Sequence, residues 1–519
     1  MASRAAARLR RAGALSAALL LAACAAGDPD DRLDPGAFER MTEAALEEID
    51  LYYIEPTVPA DLVAAGLEGL ARFDKTLKVE ARDAGVTVRL NETVAGRADA
   101  GADDAGDAAA WADKARMLLV AARADSPALA AVEQEALYDA FFDGMLARLD
   151  RASRYAGREA AREARAERDG FGGIGVTLEA HPDGARITRV EPDNPAAGAG
   201  LLVDDVIVAV EAAPLSGLGL RRIAERLRGP IDRPVTVTIR RAGVAEPITV
   251  AVGRTRIVPD TVDLRREDGV AVISVSSFNQ RTAKRLAEAL ASAQAAAGGR
   301  REGVILDLRG NPGGLLDQAV DSADLFLEAG LISRADGRHP NSHQRFYAEP
   351  GDLAHARPLV ILINGASASA AEILAAALQD QGRAAVVGMN SFGKGTIQTV
   401  IPLPNDGELY LTWARFVAPS GYPLQRLGVG PTICTSGARD AVRALDEGLA
   451  AASAGESPVA LRRGLAPKAA DADIARVLSA CSWIPHEGGD IDMAVARLLL
   501  EQPALYERAI ALGRWPADT

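Results

Sequence analysis

The chain has 519 residues, 48% of them hydrophobic, and a formal charge of −13. That length suits several domains with a sizeable core. So acidic a chain argues against nucleic-acid partners and against electrostatic docking to anionic lipid.

Arg4, Arg8, Arg10 and Arg11 precede an apolar run over 14–23, too short to span a bilayer, and together they predict a secretory signal. The run ends in Leu21-Ala22-Ala23-Cys24, which resembles the lipobox of bacterial lipoproteins and implies lipidation of Cys24. Removing residues 1–23, with four arginines and no acids, leaves a charge of −17, so the acyl chain is the only membrane attachment expected. An exported, lipid-anchored location on a bacterial membrane follows, periplasm-facing or at the cell surface. Export also makes a disulfide between Cys434 and Cys481 an expectation, two separate buried thiols being the alternative. There is no C-x-x-C, and His339 and His343 have no cysteine or further histidine beside them, so no metal and no cofactor are expected.

Helical periodicity covers 38–53, where Met41, Ala45, Ile49 and Tyr52 recur on one side, and then 60–73. Alternation over 76–80 and 86–90 predicts a hairpin. Residues 95–110, almost all Ala, Gly and Asp, carry so little apolar mass that a mobile loop is expected. Helices are expected again over 111–123 and 128–149, completing a mainly helical region over 24–159. These helices either pair subunits into a homo-oligomer or only brace the core.

After a charged linker over 160–169, Phe171-Gly172-Gly173-Ile174-Gly175-Val176 opens a run of short strands, with helices near 195–200 and 220–228. The pattern over 170–256 resembles a PDZ domain, whose glycine turn offers backbone N–H groups to a C-terminal carboxylate while the peptide adds a strand to the sheet edge. Asp204 stands where a G-D-x-I element has glycine, so a different turn is expected there.

From Gly269 the pattern becomes strand, helix, strand, over 270–278, 282–297 and 303–308. Asp307-Leu308-Arg309-Gly310-Asn311-Pro312-Gly313-Gly314 follows a strand and precedes a helix, which frees backbone N–H groups. The apolar run 360–363 leads into Asn364-Gly365-Ala366-Ser367-Ala368-Ser369-Ala370-Ala371-Glu372 and a helix over 370–383. A serine at a helix mouth meets unpaired amides and a favourable dipole for an oxyanion. By local sequence alone, Ser369 to Glu372 reads equally well as a capping box, S-x-x-E. Phe392-Gly393-Lys394-Gly395-Thr396-Ile397-Gln398 returns the chain into a strand, with Lys394 and Gln398 on one face. A lysine shielded from water loses its proton more readily and becomes a usable base. Residues 388–394 also have phosphate-loop spacing, but Gly395 replaces the magnesium-binding Ser/Thr and the next residues favour a strand.

The two linked motifs resemble the signature of carboxyl-terminal processing peptidases of the S41 type. The resemblance implies Ser369 as nucleophile, Lys394 as base and Gln398 as its orienting residue. It further implies an oxyanion hole from the Ala370 amide with Gly313 or Gly314. The fold implied is α/β, a ClpP/crotonase-like peptidase core over 260–433 with an inserted PDZ domain, followed by a helical region over 434–519. The function implied is a serine endopeptidase cleaving exported proteins whose apolar or unfolded C-terminal tails the PDZ domain presents. A catalytically silent, peptide-binding lipoprotein scaffold is the alternative. None of His181, His339, His343, His355 and His486 lies in a catalytic motif, so a histidine-based triad is not expected.

Overall fold

The computed structural model describes residues 33–515 except 83–84, 102–103, 105, 298–301, 463–464, 466–469 and 488. The signal segment and Cys24 therefore lie outside the described residues. Two compact units emerge, one comprising the chain up to Ala161 with Gln398–Trp413, the other Arg162–Ile397 with Ala414–Thr519.

In the first unit, helices Pro35–Tyr52, Pro59–Gly69, Ala108–Asp125 and Gln134–Ala147 surround a core in which Phe38, Trp111, Tyr138, Phe141 and Phe142 are almost fully buried. The hairpin expected over 76–90 is a three-stranded antiparallel sheet, because Thr93–Asp99 adds a third strand. This corrects the mobile loop expected from residue 95. The small residues there permit close packing: a Cβ on Gly96 would lie 3.0 Å from Leu118 and 3.3 Å from Ala121 of the following helix. What composition suggested was too little mass is the space that lets a helix lie on a strand.

In the second unit, six short strands make one sheet: five follow the spatial order Ile248–Val252, Val235–Arg240, Val206–Val210, Gly184–Val190, Val176–His181, the sixth, Ala213–Pro214, pairs with Val206–Val210, and helix Leu220–Leu227 packs on the sheet. Asp204 adopts φ +72 and donates its amide to the Ile187 carbonyl at 2.8 Å. The turn expected to differ thus keeps a glycine-like backbone, which aspartate tolerates better than most residues.

The same unit holds a six-stranded sheet. Its order is Val262–Glu267, Val270–Val275, Val304–Asp307, Leu359–Ile363, Ala385–Gly388, Ile433–Cys434, with only the first pair antiparallel. Apart from Asp307 at a strand end, the central strands Val304–Asp307, Leu359–Ile363 and Ala385–Gly388 are apolar because both faces are covered. Helices Ala441–Ala454, Ile491–Glu501 and Pro503–Gly513 cover one of them, meeting Val272, Ile305, Val360, Leu362, Ala385 and Val387. Within the helical region expected over 434–519, the chain breaks between Ile491–Glu501 and Pro503–Gly513, because Pro503 has no N–H to continue the ladder. Cys434, at the sheet edge, is joined to Cys481 by a disulfide. Among the described residues, no helix is long and apolar enough to cross a membrane.

Candidate active site

Three parallel strands, Val304–Asp307, Leu359–Ile363 and Ala385–Gly388, end on the same side of the sheet. In open α/β sheets that edge is where ligands bind. Each strand there feeds one of the turns singled out in the sequence.

The first turn is held by Asn311, which is fully buried. Its Nδ2 donates to the Val275 carbonyl at 2.8 Å, its Oδ1 accepts from the Gly313 amide at 2.8 Å, and its carbonyl accepts from the Ala368 amide at 2.9 Å. Gly313 has φ +102, and a Cβ there would lie 2.8 Å from both the Ser369 Cβ and the Ala368 carbonyl. Only glycine permits this approach.

The second turn carries Ser369, half-buried at the mouth of helix Ala370–Asp380. An ordinary N-cap is extended. Ser369 instead has φ +54 and ψ −116. For a residue other than glycine such strain costs of order 1–3 kcal/mol, and it is typical of functional sites and of strand-to-helix nucleophile turns. Behind it, the buried Ser367 donates its hydroxyl to the Leu308 carbonyl at 2.8 Å and accepts from the Asn364 amide at 3.0 Å. Three of the first four helix amides have partners: Ala371 donates to the Ala368 carbonyl, Glu372 and Ile373 to that of Ser369. Among the described residues, the amides of Ala370 and Gly314 make no hydrogen bond.

The third turn leads through Ser391 and Gly393 to Lys394, also half-buried, and into strand Thr396–Pro402. A strand at this point rules out the phosphate-loop reading, which needs a helix.

Glu372 joins the second and third turns, and this was not foreseen from sequence. It is wholly buried, and its Oε2 accepts from the amides of Ser369 at 2.7 Å and Lys394 at 2.9 Å. Its Oε1 accepts from the Gly393 amide at 2.6 Å and from the Ser391 hydroxyl. Two amides on one oxygen atom keep the serine and lysine backbones within about 6 Å, two hydrogen-bond lengths. Burial raises the Glu372 pKa above the usual carboxylate value, opposed by these four donors. The S-x-x-E pattern was a visible signal, but it disclosed only the bond back to Ser369. Gln398 opens the segment assigned to the first unit, where its Nε2 donates to the Ala152 carbonyl.

At the PDZ-like sheet, a groove of about 310 Å³ runs between strand Val176–His181 and helix Leu220–Leu227, lined by Ile174, Val176, Leu178, Leu220, Ala224 and Leu227. Phe171–Gly173 forms a short strand against Thr255–Ile257 near one end, with the Arg228 guanidinium 3.9 Å from the centre of the Phe171 ring. The carbonyls of Ile174 and Gly175 accept from Ala196 and Glu191 at 2.9 and 3.0 Å. Their own amides have no backbone partner among the described residues.

Comparison with known proteins agrees with this arrangement. Residues 269–435 match peptidase family S41, and 172–252 match the PDZ domain. A carboxy-terminal-processing protease of Bartonella bacilliformis is 39% identical over 303 residues, 58% of this chain and 70% of that protein. A carboxyl-terminal-processing protease of Synechocystis sp. is 35% identical over 50% of this chain and 61% of its own length. In Bacillus subtilis the carboxy-terminal processing protease CtpA is 31% identical over 51% of this chain and 56% of its own. The match to these relatives thus spans between about half and 70% of their lengths. With both motifs on one sheet edge and a PDZ domain before them, the chain belongs to peptidase family S41, with the carboxy-terminal processing proteases as its relatives.

Proposed function

We propose that this chain is a serine endopeptidase of the carboxyl-terminal processing type, acting through a Ser369–Lys394 dyad. The observation that carries the reading is the Glu372 carboxylate, which accepts from the amides of both residues and so ties their two turns together. In this mechanism neutral Lys394 takes the hydroxyl proton as Ser369 attacks the peptide carbonyl, and returns it to the leaving amine. Water then releases the acyl group by the same route. Gln398 orients the amine, a role carried by the motif resemblance.

The oxyanion is received by backbone donors. Ala370 supplies one. For the other we assign Gly314 rather than Gly313, whose amide is already committed to Asn311. The PDZ groove takes the apolar C-terminal tail of a substrate as an added strand, with the free amides of Ile174 and Gly175 facing the terminal carboxylate and Arg228 adding positive charge nearby. Lipidation of Cys24 anchors the enzyme to the membrane across which it is exported. A Cys24→Ser variant should then lose both its acyl mass and its membrane fractionation.

The test is labelling with a serine-directed phosphonate. Wild type should be modified at Ser369, Ser369→Ala should not, and Lys394→Ala should react far more slowly with peptide binding at the PDZ groove retained. A wild-type protein that binds tails but is neither labelled nor proteolytic would be the silent scaffold instead.

A further inference from the structure

The S41 match ends at residue 435, yet the chain beyond it returns to all three turns of the site. Cys481, tied to the sheet edge by its disulfide, stands two residues before Trp483. The indole Nε1 donates to the Asn390 carbonyl at 2.6 Å, in the turn that carries Lys394. The ring lies flat on Gly365 in the serine turn, where a Cβ would meet three of its atoms at 3.0 Å. Trp483 is 54% exposed, so burial in a core does not account for its placement.

Further along, Asp490 grips Arg309 through both carboxylate oxygens at 2.7 and 2.9 Å, and Asp492 adds a contact at 3.2 Å. Arg309 in turn holds Asp307 at 2.7 and 2.9 Å, where the glycine turn begins. Asp492 also accepts from the hydroxyl of Thr435, the neighbour of Cys434, which closes the segment onto the strand it left.

We propose that Cys481, Trp483, Asp490 and Asp492, held against the sheet by the Cys434–Cys481 disulfide, position the catalytic turns, with Trp483 the positioning residue that registers the serine turn against the lysine turn. This deepens the peptidase reading and rests on it. The indole bridges the two turns through a ring face on Gly365 and one N–H on Asn390, contacts separate from those of the Glu372 carboxylate. Misplacing reacting groups by about 1 Å costs on the order of 100-fold in rate. Activity should accordingly depend on whether the cysteines are oxidised, while peptide capture at the PDZ groove should not.

The experiment uses the full chain and three readouts: the phosphonate labelling rate at Ser369, kcat and KM on a peptide substrate, and binding of a C-terminal peptide. Trp483→Ala and phosphine-reduced wild type should each label roughly 10- to 100-fold more slowly and lose kcat, with KM and peptide binding within about twofold. Trp483→Phe, which keeps a ring on Gly365, should recover part of the loss, and reduction should have no effect on a Cys434→Ser/Cys481→Ser variant. Peptide binding shows that the PDZ sheet of each variant is folded, and a cooperative melt of the full chain does so for the catalytic sheet, whose core is separate. A wild type that labels normally while Trp483→Ala and reduced protein label as fast overturns this proposal alone. A wild type never labelled at Ser369 overturns the peptidase reading and this proposal with it.

Discussion

Replacing Glu372 by glutamine removes one charge and preserves the shape of the side chain, which isolates what the buried carboxylate contributes. Four donors converge on it: three backbone amides and the Ser391 hydroxyl. The least costly orientation turns the new NH2 toward Ser391, whose hydroxyl oxygen can accept, and Gly393, whose amide cannot. One buried amide then loses its acceptor at about 1–3 kcal/mol, and three bonds weaken from charge-assisted to neutral by about 1 kcal/mol each. The neutral amide escapes the desolvation that raises the glutamate's pKa, so a net loss of about 2–4 kcal/mol remains. Expressed in the transition state, that is roughly a 30- to 900-fold fall in kcat. Steady-state kinetics on a peptide substrate should show this fall with KM within about threefold, because the PDZ groove is untouched. A variant with kcat within about threefold of wild type would refute the claim that this carboxylate ties the two turns together.

Gly313→Ala places a methyl group 2.8 Å from the Ser369 Cβ at φ +102. Phosphonate labelling should fall by about 100-fold or more, and an unchanged rate would sink the close-approach argument. Ala224→Arg fills the PDZ groove. KM for a protein substrate with an unfolded tail should rise about tenfold or more, roughly 1.4 kcal/mol, while Ser369 labelling stays near wild type; equal KM values would remove the groove from tail capture. Asp490 is held below the usual carboxylate pKa by Arg309 and the Met493 amide, against the opposing effect of burial. A depressed pKa contributes stability above the unfolded value, near 3.9, that disappears as pH falls through the folded one. Asp490→Asn should therefore melt below wild type at about pH 6, and the gap should narrow as pH falls below the unfolded value. A gap that widens on acidification would contradict that sign.

Elements driven by local chemistry were legible in the chain. The helix 282–297, the glycine turn after Val304–Asp307 and the serine at the mouth of Ala370–Asp380 all follow from periodicity, breakers and caps within a dozen residues. The motifs around Ser369 and Lys394 were readable for the same reason, since each is contiguous. Residues 95–99 were misread because small side chains signal disorder when isolated and close packing when a helix lies over them.

Other features needed contacts between distant segments. Glu372 acts on Ser391, Gly393 and Lys394, Asn311 on Val275 and Ala368, and Trp483 on Asn390 and Gly365. A hydrogen bond between residues far apart in sequence leaves no period or spacing to detect. So the chain alone specified which groups could do chemistry, through side-chain type and local turn geometry. Tertiary packing decided which amides stayed free, which were already spent, and which buried carboxylate ties the serine turn to the lysine turn, because those depend on where the sheet brings its strand ends together.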